Sequence, residues 1–140
     1  MKLSARNQFA GTVTKVTDGA VNGIVTIDVN GTPVSATISM NAIGELGLAA
    51  GKPAYAVIKA TEVMVGLGRH LPLSARNQFP GKVLSVEKGA VNSIVRMEVL
   101  GGNTLSATIS NAAVAELGLE AGKDALAVIR TARPCPPPSP

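Results

Sequence analysis

Ser4-Ala5-Arg6-Asn7 places a hydroxyl, a guanidinium and an amide within four residues, and the same four types return at Ser74-Ala75-Arg76-Asn77. Such a segment presents several hydrogen-bond donors and one permanent positive charge, and charge-assisted bonds to an oxyanion are of the stronger kind. A polar lead-in whose Ser or Asn caps a turn would explain one copy equally well. Retention of the following Gln and Phe in both copies favours a site for a small anion. Gly19-Ala20-Val21-Asn22 also recurs, as Gly89-Ala90-Val91-Asn92. Small residues let a main chain approach a ligand, and consecutive N–H groups around a glycine can form an anion-binding nest. A plain turn between strands reads the same way. Lys59, matched by Arg130, ends an apolar run, where a cation needs an anionic partner or a path to water. The exchange of Lys for Arg keeps the charge and alters donor geometry, so the two copies need not hold a ligand equally. Ser39 and Ser110 close alternating segments; their hydroxyls could donate to a ligand, although a helix N-cap is the favoured reading.

Catalytic chemistry finds little support. His70 is the single histidine and Cys135 the single cysteine, so there is neither a nucleophile paired with a base nor metal-ligand spacing. No phosphate loop of the G-x-x-x-x-G-K type occurs, and Asp18, Asp28, Glu45 and Glu62 are scattered. The expectation is a binding protein, not an enzyme. Thirteen basic against nine acidic residues give a net charge of +4, a mild bias towards anionic partners. Disulfides are excluded by the lone cysteine, which suits a reducing compartment. No apolar run reaches signal-peptide or membrane-spanning length, and a soluble, cytoplasmic protein is expected.

The elements that must position these residues come in duplicate. Leu3 to Asp28 aligns on Leu73 to Glu98 at an offset of seventy, with sixteen of twenty-six positions identical. Beyond Gly31 the offset becomes seventy-one, so the second copy carries one inserted residue in a turn, and Pro33 to Ser39 then aligns on Thr104 to Ser110. A self-similar period of this kind signals repeated structural units. Val25, Ile27 and Val29 alternate with polar residues as in a half-buried strand, and Asn30-Gly31 is a strong hairpin signal. Val34, Ala36 and Ile38 alternate in the returning strand. Asn41 to Gly47 predicts a short helix ended by glycine, Ala54 to Ala60 an apolar strand, and Val63 to Val65 a last strand. The fold class that follows is mainly β: two tandem OB-like five-stranded barrels, each with a short helix between strands 3 and 4. The domains are expected over residues 1–69 and 70–133, with a Pro-rich tail over 134–140. Pro134 and Pro136 predict that the second copy's last strand is short or missing.

OB barrels commonly bind single-stranded nucleic acid through aromatic platforms. Phe9, Phe79 and Tyr55 are the only aromatic residues, and the two phenylalanines are expected just before the first strands in a core role, so nucleic acid is disfavoured.

Taken together, SARNQF, GAVN, S-A-T-I-S, E-L-G-L-x-x-G-K and the A-V-I-K strand end, in that order and largely repeated, resemble the Mop-type molybdate-binding proteins, or molbindins, in their tandem di-Mop form. The resemblance covers nearly the whole chain. It implies OB-like units with molybdate or tungstate at interfaces between units of a homo-oligomer, a trimer in tandem members, serving oxyanion storage, buffering and homeostasis. An accessory domain of a molybdate transport system is the alternative within the family. Residue by residue, the resemblance assigns oxyanion contacts to Ser4, Ala5, Arg6 and Asn7, to Ser74, Ala75, Arg76 and Asn77, and to Lys59 with Ala60. The second copy departs from the pattern at Arg130 and Thr131. A second class of site falls on Gly19, Ala20, Val21 and Asn22 and on Gly89, Ala90, Val91 and Asn92. No organic cofactor is implied.

Overall fold

In the computed structural model, which describes residues 7–67, 77–129 and 132–135, the alternating segments form strands that bury one face. The first repeat supplies β1 (Asn7–Thr17), β2 (Asn22–Val29), β3 (Thr32–Ser39), helix α1 (Met40–Leu46), β4 (Pro53–Ile58), a 3-10 turn (Ala60–Glu62) and β5 (Val63–Gly66). The second supplies β6 (Asn77–Lys88), β7 (Asn92–Val99), β8 (Asn103–Ser110), helix α2 (Asn111–Leu117), β9 (Asp124–Ile129) and β10 (Arg133–Cys135). The fold is mainly β, with a helix after the third strand of each repeat, as the alternation predicts.

Val25, Ile27 and Val29 of β2 and Val34 and Ala36 of β3 are fully buried, whereas Thr26 and Ser35 between them are half-buried. The turn joining these strands holds Asn30 at φ 50° and Gly31 at φ 89°, the backbone sense that follows strand twist in a two-residue hairpin. The inserted residue of the second repeat enlarges that turn to Leu100-Gly101-Gly102, all at positive φ, and Val99 still pairs with Asn103. Insertion in a turn leaves the alternation of both flanking strands intact.

β1 pairs with β4 through Asn7–Thr12 and with β2 through Thr12–Thr17, with a register shift between Val13 and Lys15. A strand shared between two ladders and bulged at the change is how a small sheet curls over its core. Gly11 permits that approach, since a Cβ there would lie 2.4 Å from the Asp28 carbonyl oxygen, and β6 repeats the arrangement at Gly81. Phe9 and Phe79, expected ahead of the first strands, lie inside them, because pairing with β4 and β9 begins as early as Asn7 and Asn77. Both rings are buried in the core.

The last strands depart from the expected contiguous domains. The two sheets run β10-β4-β1-β2-β3 and β5-β9-β6-β7-β8, so each repeat gives its final strand to the barrel built on the other repeat's first four. The compact units therefore comprise β1 to β4 with β10, and the 3-10 turn with β5 to β9, and neither coincides with residues 1–69 or 70–133. The physical reason is the ladder: Val63 to Gly66 pair with Ile129 to Leu126, and Arg133 to Cys135 pair with Val57 to Tyr55. β10 is short, as its prolines predict, and it is present. In the first unit Ala132 bridges Ala36 of β3, its N–H donating to the Ser35 carbonyl at 3.3 Å, which closes the sheet into a barrel. Pro136 to Pro140 of the expected tail lie outside the described residues.

If β10 closes the first barrel, a chain ending at Arg130 exposes the outer edge of β4. Backbone amides of β4 that face β10 should then exchange hydrogen faster, with roughly 1–3 kcal/mol lost from that barrel, the order of two or three net hydrogen bonds. Amides of β9, covered by β5, should keep their protection; equal loss in both barrels would contradict the pairing.

Candidate functional site

The sequence motifs fall into two groups at the two ends of the first strand of each barrel. Asn7 opens β1 and Asn77 opens β6; both are about 1% exposed, and neither is without a partner. Asn7 stands opposite Ile58, the residue before Lys59, and Asn77 stands opposite Ile129, the residue before Arg130. In both repeats the ladder thus carries the end of the SARN segment to the residue that precedes the strand-end cation. Ser4, Ala5, Arg6, Ser74, Ala75, Arg76, Arg130 and Thr131 lie outside the described residues.

Lys59 corrects one expectation. The apolar strand stops at Ile58 rather than Ala60, and Lys59 is exposed in extended conformation ahead of the 3-10 turn that Ala60 opens. Its ammonium has a direct path to water and, among the described residues, forms no ion pair. A solvated cation at a strand end remains available to an anion.

The GAVN segments occupy the opposite ends of β1 and β6. At about 3.3 Å per residue, the eleven residues of β1 put roughly 30 Å of chain between the two groups, so no single small anion spans both. Gly19 and Gly89 sit where a Cβ would lie 2.2 and 2.6 Å from the carbonyl oxygens of Asn22 and Asn92, so only glycine fits those turns. The Val21 carbonyl accepts from Met40 N–H at 2.8 Å and the Val91 carbonyl from Asn111 N–H at 2.9 Å, which ties each loop to the first residue of a helix. Ala20 and Asn22, like Ala90 and Asn92, are exposed, as are Val21 and Val91, each at 72% exposure.

Ser39 and Ser110 are helix caps, the favoured alternative. Their hydroxyl oxygens accept from Ala42 N–H and Ala113 N–H, each at 3.1 Å. Asn22 pairs with Ser39 and Asn92 with Ser110, so the caps adjoin the GAVN loops without belonging to them.

An open cleft of about 730 Å³ in the second unit, lined by Lys82, Glu98 and Asp124 beside Gly101 and Gly102, contains none of the motif residues. Lys82 stands across the ladder from both carboxylates, a balance that does not favour an anion. Among the described residues no three His, Cys, Asp or Glu side chains come together as a metal site. Phe9 and Phe79 are buried and Tyr55 is half-buried, so neither phenylalanine offers an exposed face for base stacking.

The TOBE domain model matches this chain twice, over residues 3–65 and 73–133. The chain belongs to the TOBE-domain family. Two TOBE units in tandem are the di-Mop arrangement, a family of binding proteins rather than enzymes. Each match ends on the strand given to the other barrel, so the TOBE unit of the sequence and the compact unit of the fold differ by one strand. Among relatives, the molybdenum transport protein ModE of Herbaspirillum seropedicae is 40% identical over 132 residues, covering 93% of this chain and 49% of its own length. The chain therefore spans about half the length of that relative. A probable molybdenum-pterin-binding protein of Haemophilus influenzae is 57% identical over 60 residues, or 43% of this chain and 87% of that protein. The crystal structure of the cytoplasmic molybdate-binding protein ModG with molybdate bound is 40% identical, with a TM-score of 0.93, and covers 98% of this chain and all of the other. No helix among the described residues is long and apolar enough to cross a membrane.

If Ser39 and Ser110 serve these TOBE units as caps, Ser39→Ala and Ser110→Ala should each lower stability in urea by about 1 kcal/mol, and the corresponding Gly variants by only a few tenths. Equal losses for Ala and Gly would point to a role other than capping.

Proposed function

We propose that this chain captures molybdate or tungstate reversibly, with no bond made or broken, as a cytoplasmic store and buffer. The observation that supports the reading is the pairing of each SARN asparagine, Asn7 and Asn77, with the residue that precedes a cation in the sequence, Ile58 and Ile129, in a chain whose fold superposes on molybdate-bound ModG. In this reading Ser4, Arg6 and Asn7 act with Lys59, and Ser74, Arg76 and Asn77 with Arg130, as donors to one class of site. Ala5, Ala60, Ala75 and Thr131 lie alongside as small contacts. The GAVN loops supply a second class through main-chain N–H groups. The sites form where Mop units meet in a homo-oligomer, a trimer.

The chemistry supports a fully deprotonated tetrahedral dianion. A site built of donors and cations satisfies every oxygen of molybdate, whereas a protonated phosphate brings an O–H that needs an acceptor and is costly to bury without one. Sulfate has the right charge and a smaller radius, so its rejection rests on cavity size.

Calorimetric titration tests the proposal. Molybdate and tungstate should bind saturably, while sulfate, phosphate and a short single-stranded oligonucleotide give no comparable heat. Uptake of the oligonucleotide alone would replace this reading with a nucleic-acid module. Substituting Arg6 and Arg76 together by Ala should remove one class of site and leave the other; unchanged stoichiometry would refute their assignment. Light scattering during the same titration should give the mass of a trimer.

A further inference from the structure

The two GAVN loops have the same four residues and different fastenings. In the second barrel the Asn111 side-chain amide donates to the Gly89 carbonyl at 3.0 Å, while its oxygen accepts from the buried Ser93 hydroxyl at 2.5 Å. The Asn111 backbone N–H holds the Val91 carbonyl, and Gly89 N–H donates to the Asn92 carbonyl at 2.9 Å. Three of the loop's four carbonyls are thus bound within the protein. The ladder also runs one pair further here, to Lys88 and Ser93, whereas in the first barrel it stops at Thr17 and Ile24.

At the positions of Ser93 and Asn111 the first repeat carries Gly23 and Met40. The Met40 sulfur and the Ile43 methyl fill the space where a Gly23 Cβ would stand, at 2.9 and 2.6 Å from it. Of the two bonds that fasten the second loop to α2 through Asn111, the first loop keeps the main-chain one, from Met40 to Val21. A thioether fills space without fixing a direction, whereas an amide bonded at both ends holds the peptide groups it touches. Carbonyl oxygens repel an oxyanion, so holding them inward leaves the loop's free N–H groups as its offering, and a loop held in its binding shape loses less entropy on capture.

We infer that Asn111, seated by Ser93, is a positioning residue that preorganises the second GAVN loop for an oxyanion, and that the first loop, packed by Met40, binds the same ligand more weakly. The inference rests on the assignment of the GAVN loops to anion contact. Two readouts keep its failure apart from the failure of that assignment: amide hydrogen exchange without ligand, and calorimetric titration with sodium molybdate.

In the full chain, Asn111→Met should speed exchange at Ala90, Val91 and Asn92 and weaken one binding step roughly 3- to 10-fold, the effect of about one net hydrogen bond. Stoichiometry and the steps lost in the Arg6 and Arg76 variant should stay as they are. The reciprocal triple variant, Gly23→Ser with Met40→Asn and with Ile43→Val to clear the methyl as Val114 does in the second repeat, should slow exchange at Ala20 to Asn22 and tighten one step, a gain that damage to folding would not produce. Unchanged exchange in both variants would overturn the positioning role and leave the loop assignment standing. Altered exchange with an unchanged molybdate isotherm would overturn the inference by removing the GAVN loops from the site.

Discussion

Every peptide group on a strand edge needs a partner, and in a barrel of some sixty residues the last strand decides whether the sheet closes. Here β10 covers β4 and β5 covers β9. Closure confines Phe9, Val13, Ile27 and Val34 to one interior and Phe79, Val83, Met97 and Leu105 to the other. It also fixes the ends of β1 and β6, and both groups of candidate ligand residues hang from those ends. A barrel that opened at β4 would release the ladder between Asn7 and Ile58 as well, and with it the register that carries the SARN segment towards Lys59.

Duplication has left the two barrels alike in backbone and unequal in fastening. The same serine caps both helices and the same glycine turns follow them, yet Lys123 donates to the Leu117 and Gly118 carbonyls at the end of α2 while its counterpart Lys52 is exposed. The difference between Ser93 with Asn111 and Gly23 with Met40 belongs to the same pattern. At these positions polar side chains of the second barrel close on backbone groups, where in the first apolar packing or solvent takes their place. Such changes keep the core volume and alter how far a loop or helix end is free to move.

Much of this was legible in the residues. Alternation at Val25 to Val29 and Val34 to Ile38 reported strands because period two has one physical meaning when one face is buried. Asn30-Gly31 reported its hairpin and Gly47 its helix end because each needs positive φ. Ser39 was readable as a cap from its place before an apolar turn. The exchange of last strands was not readable, since Val63 to Val65 would pair as well with β4 as with β9 and local pattern does not name the partner. Nor was the Asn111 clip, because Asn111 lies 18 residues beyond Ser93 and 22 beyond Gly89 in sequence and meets them only when β7 and β8 fall into register. The recurring motifs mark the candidate ligand residues; the substitutions between repeats mark how firmly each GAVN loop is fastened.

The chain crosses from one barrel to the other after Ile58 and returns after Arg130. What was copied in the gene is therefore not what folds. The unit of inheritance is a run of some seventy residues, whereas the unit of folding takes strands from both copies. A substitution in β5 is recorded in the first repeat and felt in the second barrel, so neither copy can drift alone. A tandem chain so made has traded the independence of its duplicates for a shared fate.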